Sequence, residues 1–383
     1  MKKVTTKTIQ PQEKHKDNKV QGLIFVMTMW LLSRLVVVVA MQLIAPSLNY
    51  PPTNHPDPLP ISFTPNFVAT PGWELFSHWD GKWYEKIATQ GYEYANDGQQ
   101  HSVAFFPLFP LLARAVMTFG LPFNVAATLV NNIAFLGALL LLYRWAEERQ
   151  GTSAARWATA VLAWCPFSLY GTVIYTEGLF LLLTTAALRA FDNRQHAWSA
   201  LWGALATATR ATGIVLVPAF LLVAWRERRQ PIAYAAGLLA SLGLLLFMLH
   251  CGIRFGDPLA FSRVQQAWEQ PNWIEIFKNA LTFSNRDDVY KVVMVFGGGY
   301  LLWHLRRKLP PIAIAYGYCA LALIIISGAL SSVNRYAYGI VSLSFALGIL
   351  LASHPRWGYV VLGLFGIFLA RYAIDFTWWR WVA

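Results

Sequence analysis

Few residues in this sequence have the chemical means to act on a substrate. Asp80 lies in the segment His78-Trp79-Asp80-Gly81-Lys82-Trp83-Tyr84-Glu85-Lys86-Ile87-Ala88-Thr89-Gln90-Gly91-Tyr92. The spacing predicts a helix from near Asp80 to Gly91, with Trp83, Tyr84 and Ile87 on one face and Lys82, Glu85, Lys86 and Gln90 on or beside the other. Such a helix lies at a membrane surface on its aromatic side. A carboxylate at its N-terminal edge is favoured in the ionised form by the helix dipole. Local sequence leaves two roles open for it, a general base or a helix cap. His78, Trp79, Lys82 and Tyr84 flank it as candidate substrate contacts, with His101 a weaker one.

Four further ionisable residues stand in or at the ends of apolar runs, where charge is costly and marks function. Arg210, in Arg210-Ala211-Thr212-Gly213, and Arg335, in Ser332-Val333-Asn334-Arg335-Tyr336, carry guanidinium groups that can meet phosphate oxygens bidentately. Arg335 could equally snorkel to an interface. Glu177, in Tyr175-Thr176-Glu177-Gly178, could position a sugar hydroxyl or neutralise Arg34, which lies inside the first apolar run and is expected to pair with such a carboxylate. Asp257 and Gln265 are candidate substrate contacts in a later loop, although Gly256-Asp257-Pro258 also reads as a turn. Asp287-Asp288 reads as a helix cap, and neither metal nor cofactor is expected.

The elements that must position these residues follow from composition. Of 383 residues 56% are apolar and 13% charged, against roughly 25% charged in ordinary soluble chains. From Gly22 to Ile44 the one formal charge is Arg34, a run long enough for a hydrocarbon layer of ~30 Å. Ten further runs lead to an expected all-α, polytopic membrane protein of about eleven spans. Lys2, Lys3, Lys7, Lys14, Lys16 and Lys19 make 1–20 a basic tail; Arg226, Arg228, Arg229, Arg306, Arg307 and Lys308 fill short connections. Basic short loops mark the cytoplasmic side, so the net charge of +12 reports topology and anionic lipid, not nucleic acid.

Residues 21–383 then form a single membrane domain with two external loops, 45–122 and 251–288. The first carries acidic residues and a proline-dense stretch, Asn49 to Pro65. Phe105–Phe119 is expected to be re-entrant or interfacial, because a crossing there would put Arg144, Arg149 and Arg156 on the external side. Trp198–Thr209 and Ile214–Trp225 read as short helices meeting at the polar Arg210 turn. Cys165, Cys251 and Cys319 show no ligand-like spacing.

His78-Trp79-Asp80-Gly81, Ile87-Ala88, Gly91-Tyr92 and Phe105-Phe106-Pro107-Leu108-Phe109-Pro110 together resemble the signature of the PIG-V family, the mannosyltransferases of the second mannose step in glycosylphosphatidylinositol synthesis and their bacterial relatives. Tyr175-Thr176-Glu177-Gly178, the Arg210 turn and Ser332–Tyr336 resemble its later motifs in the same order. Trp83-Tyr84 departs from the eukaryotic pattern, which has His-Phe there, and leaves the acceptor open.

The resemblance implies a GT-C glycosyltransferase fold. It also implies inverting transfer of mannose from a polyprenyl-phosphate donor to a glycolipid or glycan acceptor on the external (or lumenal) face. In that reading Asp80 is the base, and Arg210 and Arg335 hold the donor phosphate. The expected location is a bacterial plasma membrane, or endoplasmic reticulum in a eukaryote. A transporter or flippase of polyprenyl-linked sugars would also use intramembrane Arg and Glu in broken helices; the large external loop carrying Asp80 favours the enzyme.

Overall fold

The structure, a computed structural model, describes residues 11–48, 69–268, 272–327 and 330–382. The basic residues of 1–10 and the proline-dense stretch at 49–65 lie outside the described residues. Helices account for the architecture, and no strand occurs among the described residues. Four helices there are long and apolar enough to cross a membrane: Val20–Ser47, Phe123–Trp164, Pro231–Phe255 and Pro355–Thr377. A fifth, bent pair, Leu330–Tyr338 and Val341–Ser353, turns by 57° at its break. Outward side chains such as Ile24, Leu31, Ile133, Leu249 and Ile367 are exposed, an apolar coat suited to lipid rather than water.

Two of the expected runs lie on either side of a kink in the segment Phe123–Trp164. Phe123–Trp164 is interrupted at Gly151 (φ 80°, ψ 174°), a conformation that only glycine takes readily. It packs against Glu177–Asp192, Val341–Ser353 and the first helix, Pro11–Val39. Leu108–Met117 has 10 residues, about 15 Å of helix, which is half the hydrocarbon thickness. The helix Leu242–Phe255 continues past Cys251. Asn285, not the Asp287-Asp288 pair, caps the helix Arg286–Val292 by accepting the Asp287 N–H; Asp288 instead pairs with Lys291 at 3.0 Å.

Two ends of the bundle differ in charge. At one end Arg149 donates to Asp192 (2.7 Å), Arg189 pairs with Glu148, Arg229 donates to the Phe191 carbonyl (2.6 Å), and Gln150 donates to the Lys308 carbonyl (2.5 Å). Four basic turns are thereby gathered on one face. His196–Thr209 leaves that face and Leu216–Arg226 returns to it, since the His196 ring lies against Phe191 and Arg229 also grips Phe191. Between the two helices, at the turn farthest from that face, Arg210 is in an extended conformation (φ −154°, ψ 142°). Glu177 starts a helix that ends at Asp192, so it too stands ~22 Å from the basic face.

Candidate active site

Three local devices set the position of the ionisable residues. The first is the helix Asp80–Gln90, which buries Gly81, Trp83, Tyr84, Ile87 and Ala88 and turns Lys82, Glu85 and Lys86 outward. The Ile174 N–H donates to the Phe76 carbonyl at 2.9 Å, and a Cβ on Gly81 would lie 3.3 Å from the Ile174 carbonyl. The loop before Asp80 is thus pinned to the turn before Glu177. The second device is Asn131, whose amide donates to the Tyr170 and Val173 carbonyls (2.7 Å each) and whose Oδ1 accepts the Gly178 N–H (2.9 Å). A Cβ at residue 178 would come 2.5 Å from the Asn131 carbonyl, so only glycine lets the Glu177 helix start there. The third is Arg34.

Arg34 does not meet Glu177. Its guanidinium donates to the Ser168 carbonyl (2.6 Å), Thr172 Oγ1 (2.6 Å), Ser168 Oγ (2.8 Å) and the Ala163 carbonyl (3.2 Å). The expected Arg34–carboxylate pair is therefore corrected. The turn Pro166–Gly171 and its flanking residues offer four oxygen acceptors to the two terminal nitrogens of this buried guanidinium, and that leaves Glu177 available to others.

What the fold assembles is a line of four charged groups. Arg335 Nη1 donates to Asp80 Oδ2 at 2.6 Å, and Arg335 Nε lies 3.2 Å from Glu177 Oε1. Arg210 Nη1 donates to the same Glu177 oxygen at 2.5 Å. The side chains of Glu177, Arg335, Arg210 and Asp80 are 1%, 7%, 11% and 19% exposed. Two carboxylates and two guanidiniums cancel, which is the condition for burying them together. Aromatic faces enclose the cations: Arg335 Cζ is 5.1 Å from the Tyr175 ring and 5.4 Å from Tyr336, and Arg210 Cζ is 5.0 Å from Tyr336 and 5.6 Å from Phe180. Glu177 Oε2 and the Tyr175 hydroxyl are buried and make no hydrogen bond among the described residues. This is unused polar capacity of a kind rare in folded interiors.

The Asp80 carboxylate is directed to Arg335, and no side-chain cap closes its helix. Trp79, the preceding residue, has φ 52° and ψ −116°, a conformation that costs a bulky residue of order 1–3 kcal/mol. His78 donates from Nδ1–H to the Phe376 carbonyl (2.9 Å) and stacks on Phe376 and Trp379. Burial, aided by Lys82, pushes its imidazole down to about 3. The unfolded chain, with an ordinary value near ~6.5, takes up a proton that the folded one refuses. Stability contributed by neutral His78 is therefore full above ~6.5 and is lost as pH falls toward 3. By pH 5 the loss is expected to reach about 2 kcal/mol, read as a drop in thermal midpoint that His78→Gln flattens.

Tyr84 is buried against the line, where burial and then the Asp80 carboxylate raise its phenol. Other candidates are engaged elsewhere. Lys82 sits 3.2 Å from Glu85 and 3.6 Å from Glu74, and His101 bonds Asp97. Asp257 accepts from the Tyr94 hydroxyl (2.9 Å) and the Leu259 N–H (3.0 Å), with Arg263 3.3 Å away. It joins the two long loops, while Gln265 is exposed. Among the described residues no group of three or more His, Cys, Asp or Glu side chains gathers that could hold a metal ion. Asn131 is not among the residues that the sequence motifs single out; its signal in the sequence is the pair Asn131-Asn132 inside an apolar helix.

Human GPI alpha-1,6-mannosyltransferase 2 is 27% identical over 152 residues, 37% of this chain and 30% of the human protein. GPI mannosyltransferase 2 of Drosophila pseudoobscura pseudoobscura is 28% identical over 115 residues, 27% of this chain and 24% of the fly protein. The matched stretches span less than a third of either relative. Among solved structures, ArnT from Cupriavidus metallidurans bound to undecaprenyl phosphate superposes with a TM-score of 0.52 at 15% identity, covering 88% of this chain and 62% of that one. Its apo state gives 0.54 at 13% identity with the same coverage. At such identity the likeness shows the fold, the GT-C fold of membrane glycosyltransferases. The mannosyltransferase (PIG-V) family profile matches residues 21–227, more than half of the chain and three of its four aligned charges, and the chain belongs to that family.

Proposed function

We propose that the chain transfers mannose, with inversion, from a polyprenyl-phosphate carrier to an acceptor hydroxyl on the external face of the membrane. The observation that carries this reading is the buried line Asp80–Arg335–Glu177–Arg210, placed opposite the basic turns. Basic turns belong to the cytoplasmic side, so the line belongs to the other. A lipid-linked donor needs its reactive carbon at a membrane boundary, where the isoprenoid stays in hydrocarbon and the sugar reaches water. The Asp80 helix, apolar beneath and charged above, lies at such a boundary.

The chemistry follows from the charges. Phosphate is a good leaving group, and positive charge rather than a proton is what it requires as it departs. Arg335 and Arg210 supply that charge. A phosphate arriving at Arg335 competes with Asp80 for the guanidinium and leaves the carboxylate to accept the acceptor's proton. One carboxylate then suffices for inversion, because attack and departure occur on opposite faces of the sugar. The Tyr175 hydroxyl and Glu177 Oε2 have capacity left for sugar hydroxyls. Undecaprenyl phosphate in the ArnT structure is consistent with a polyprenyl carrier.

The test is transfer itself: purified protein, labelled polyprenyl-phosphate-mannose and a membrane extract, with label followed into the acceptor. Label that stays on the carrier in every extract would refute the proposal, and label that reappears across a vesicle bilayer would favour transport instead. Within the same assay Arg210→Ala is expected to weaken donor use at least tenfold more than Arg210→Lys, which keeps the charge and loses only the fork. Equal, small effects of both would assign Arg210 to packing.

A further inference from the structure

We infer that the aromatic segment Trp378–Trp381 positions Asp80, with Trp379 the residue that holds the base in line. The inference rests on the reading of Asp80 as that base. It starts from the strained backbone of Trp79 (φ 52°, ψ −116°), which persists only where surroundings over-determine it. The Asp80 helix has no side-chain cap to do this. The surroundings come instead from residues three hundred positions away. The Trp379 ring stacks on His78 at 4.0 Å and meets Trp79 edge-on at 5.7 Å, and Trp381 meets Trp79 edge-on at 5.1 Å.

Hydrogen bonds fasten the segment itself. Trp378 Nε1 donates to the Ala45 carbonyl (3.1 Å), the Arg380 N–H to the Asp375 carbonyl (2.9 Å), and Trp381 Nε1 to the Ser331 carbonyl (3.1 Å). Ser331 precedes Arg335 by one helical turn. One short segment therefore touches the chain on both sides of the Asp80–Arg335 pair and fixes the distance between them. His78 is the link: its ring stacks with both Phe376 and Trp379 and is bonded to the Phe376 carbonyl, which holds it in place if the Trp79 backbone relaxes. The segment lies beyond the residues that the family profile matches.

Trp379→Leu removes the stack and the edge contact, and Trp379→Phe keeps an aromatic face. A carboxylate displaced by about 1 Å loses on the order of 100-fold in rate. With labelled polyprenyl-phosphate-mannose, Trp379→Leu is expected to lower kcat 10- to 100-fold with donor KM changed less than threefold, and Trp379→Phe to restore most of it. Unchanged kcat, or a loss carried by KM, would overturn the inference. Asp80→Asn assayed in parallel separates the two claims: if it is inactive while Trp379→Leu is normal, only the positioning role fails, and if it is normal the base assignment fails. Hydrogen exchange over residues 78–84 reads the seat without substrate. At least tenfold faster exchange in Trp379→Leu is expected, and unchanged exchange overturns the inference whatever the transfer assay gives. Should Trp379→Leu not yield monodisperse protein, Trp381→Leu, which leaves the His78 stack in place, is read by the same criteria.

Discussion

Replacing Asp80 with Asn is expected to leave a folded protein that binds donor and transfers sugar about 10²–10⁴-fold more slowly, the usual cost of removing a general base. Asn keeps the size of the side chain, one oxygen for Arg335, and the capping capacity of Asp. It removes the proton acceptor. It also removes one negative charge from a balanced line, so a modest loss of stability accompanies the loss of rate, about 1–3 kcal/mol for a charged hydrogen bond that becomes neutral. The two effects are measured apart: turnover with labelled donor, binding by the thermal shift that polyprenyl phosphate produces, and folding by size exclusion. Near-normal turnover would move the base elsewhere, with Glu177 or Asp257 next to be replaced. A protein that fails to fold would point to a structural role, which is the less expected result because the carboxylate meets Arg335 rather than its own helix backbone.

Some of this site could be read from the chain before any coordinates. The Asp80 helix was visible because Trp83, Tyr84 and Ile87 recur at the helical spacing, and the same three residues are buried. The Arg210 turn was visible because a charged and a polar residue interrupt an otherwise apolar run. Partnership was not visible. Asp80 and Arg335 are 255 positions apart, and Arg34 and Glu177 have the right charges to pair and do not. Periodicity reports which face of a helix is buried, while the identity of an ion's partner is set by which helix ends meet. Arg34 illustrates the difference, since it donates to the Ser168 and Thr172 hydroxyls and to two backbone carbonyls, and carbonyls leave no mark in a sequence.

Glu177→Gln is the second large effect, and its sign differs between stability and binding. Glu177 is nearly inaccessible and shares one oxygen between Arg210 (2.5 Å) and Arg335 (3.2 Å). Glutamine has the same shape and can still accept from one guanidinium, but Asp80 then remains the sole carboxylate of the line. Arg210 is left buried without a counter-charge, which typically costs 3–5 kcal/mol, so the thermal midpoint is expected to fall by several degrees. The uncompensated charge, however, is the charge a phosphate would neutralise. Polyprenyl phosphate should therefore stabilise Glu177→Gln more than the parent protein, by the linkage between ligand binding and folding. Turnover should nevertheless fall, because an arginine freed from Glu177 holds the phosphate after departure as tightly as before it, and binding that is uniform along the reaction does not raise the rate. A midpoint that falls together with a carrier-induced shift no larger than the parent's would show that Glu177 supports the helix start and does not tune the phosphate-binding arginines. Glu177→Asp provides the control: it retains the charge at a shorter reach and should recover the midpoint in part while keeping the parent's response to the carrier.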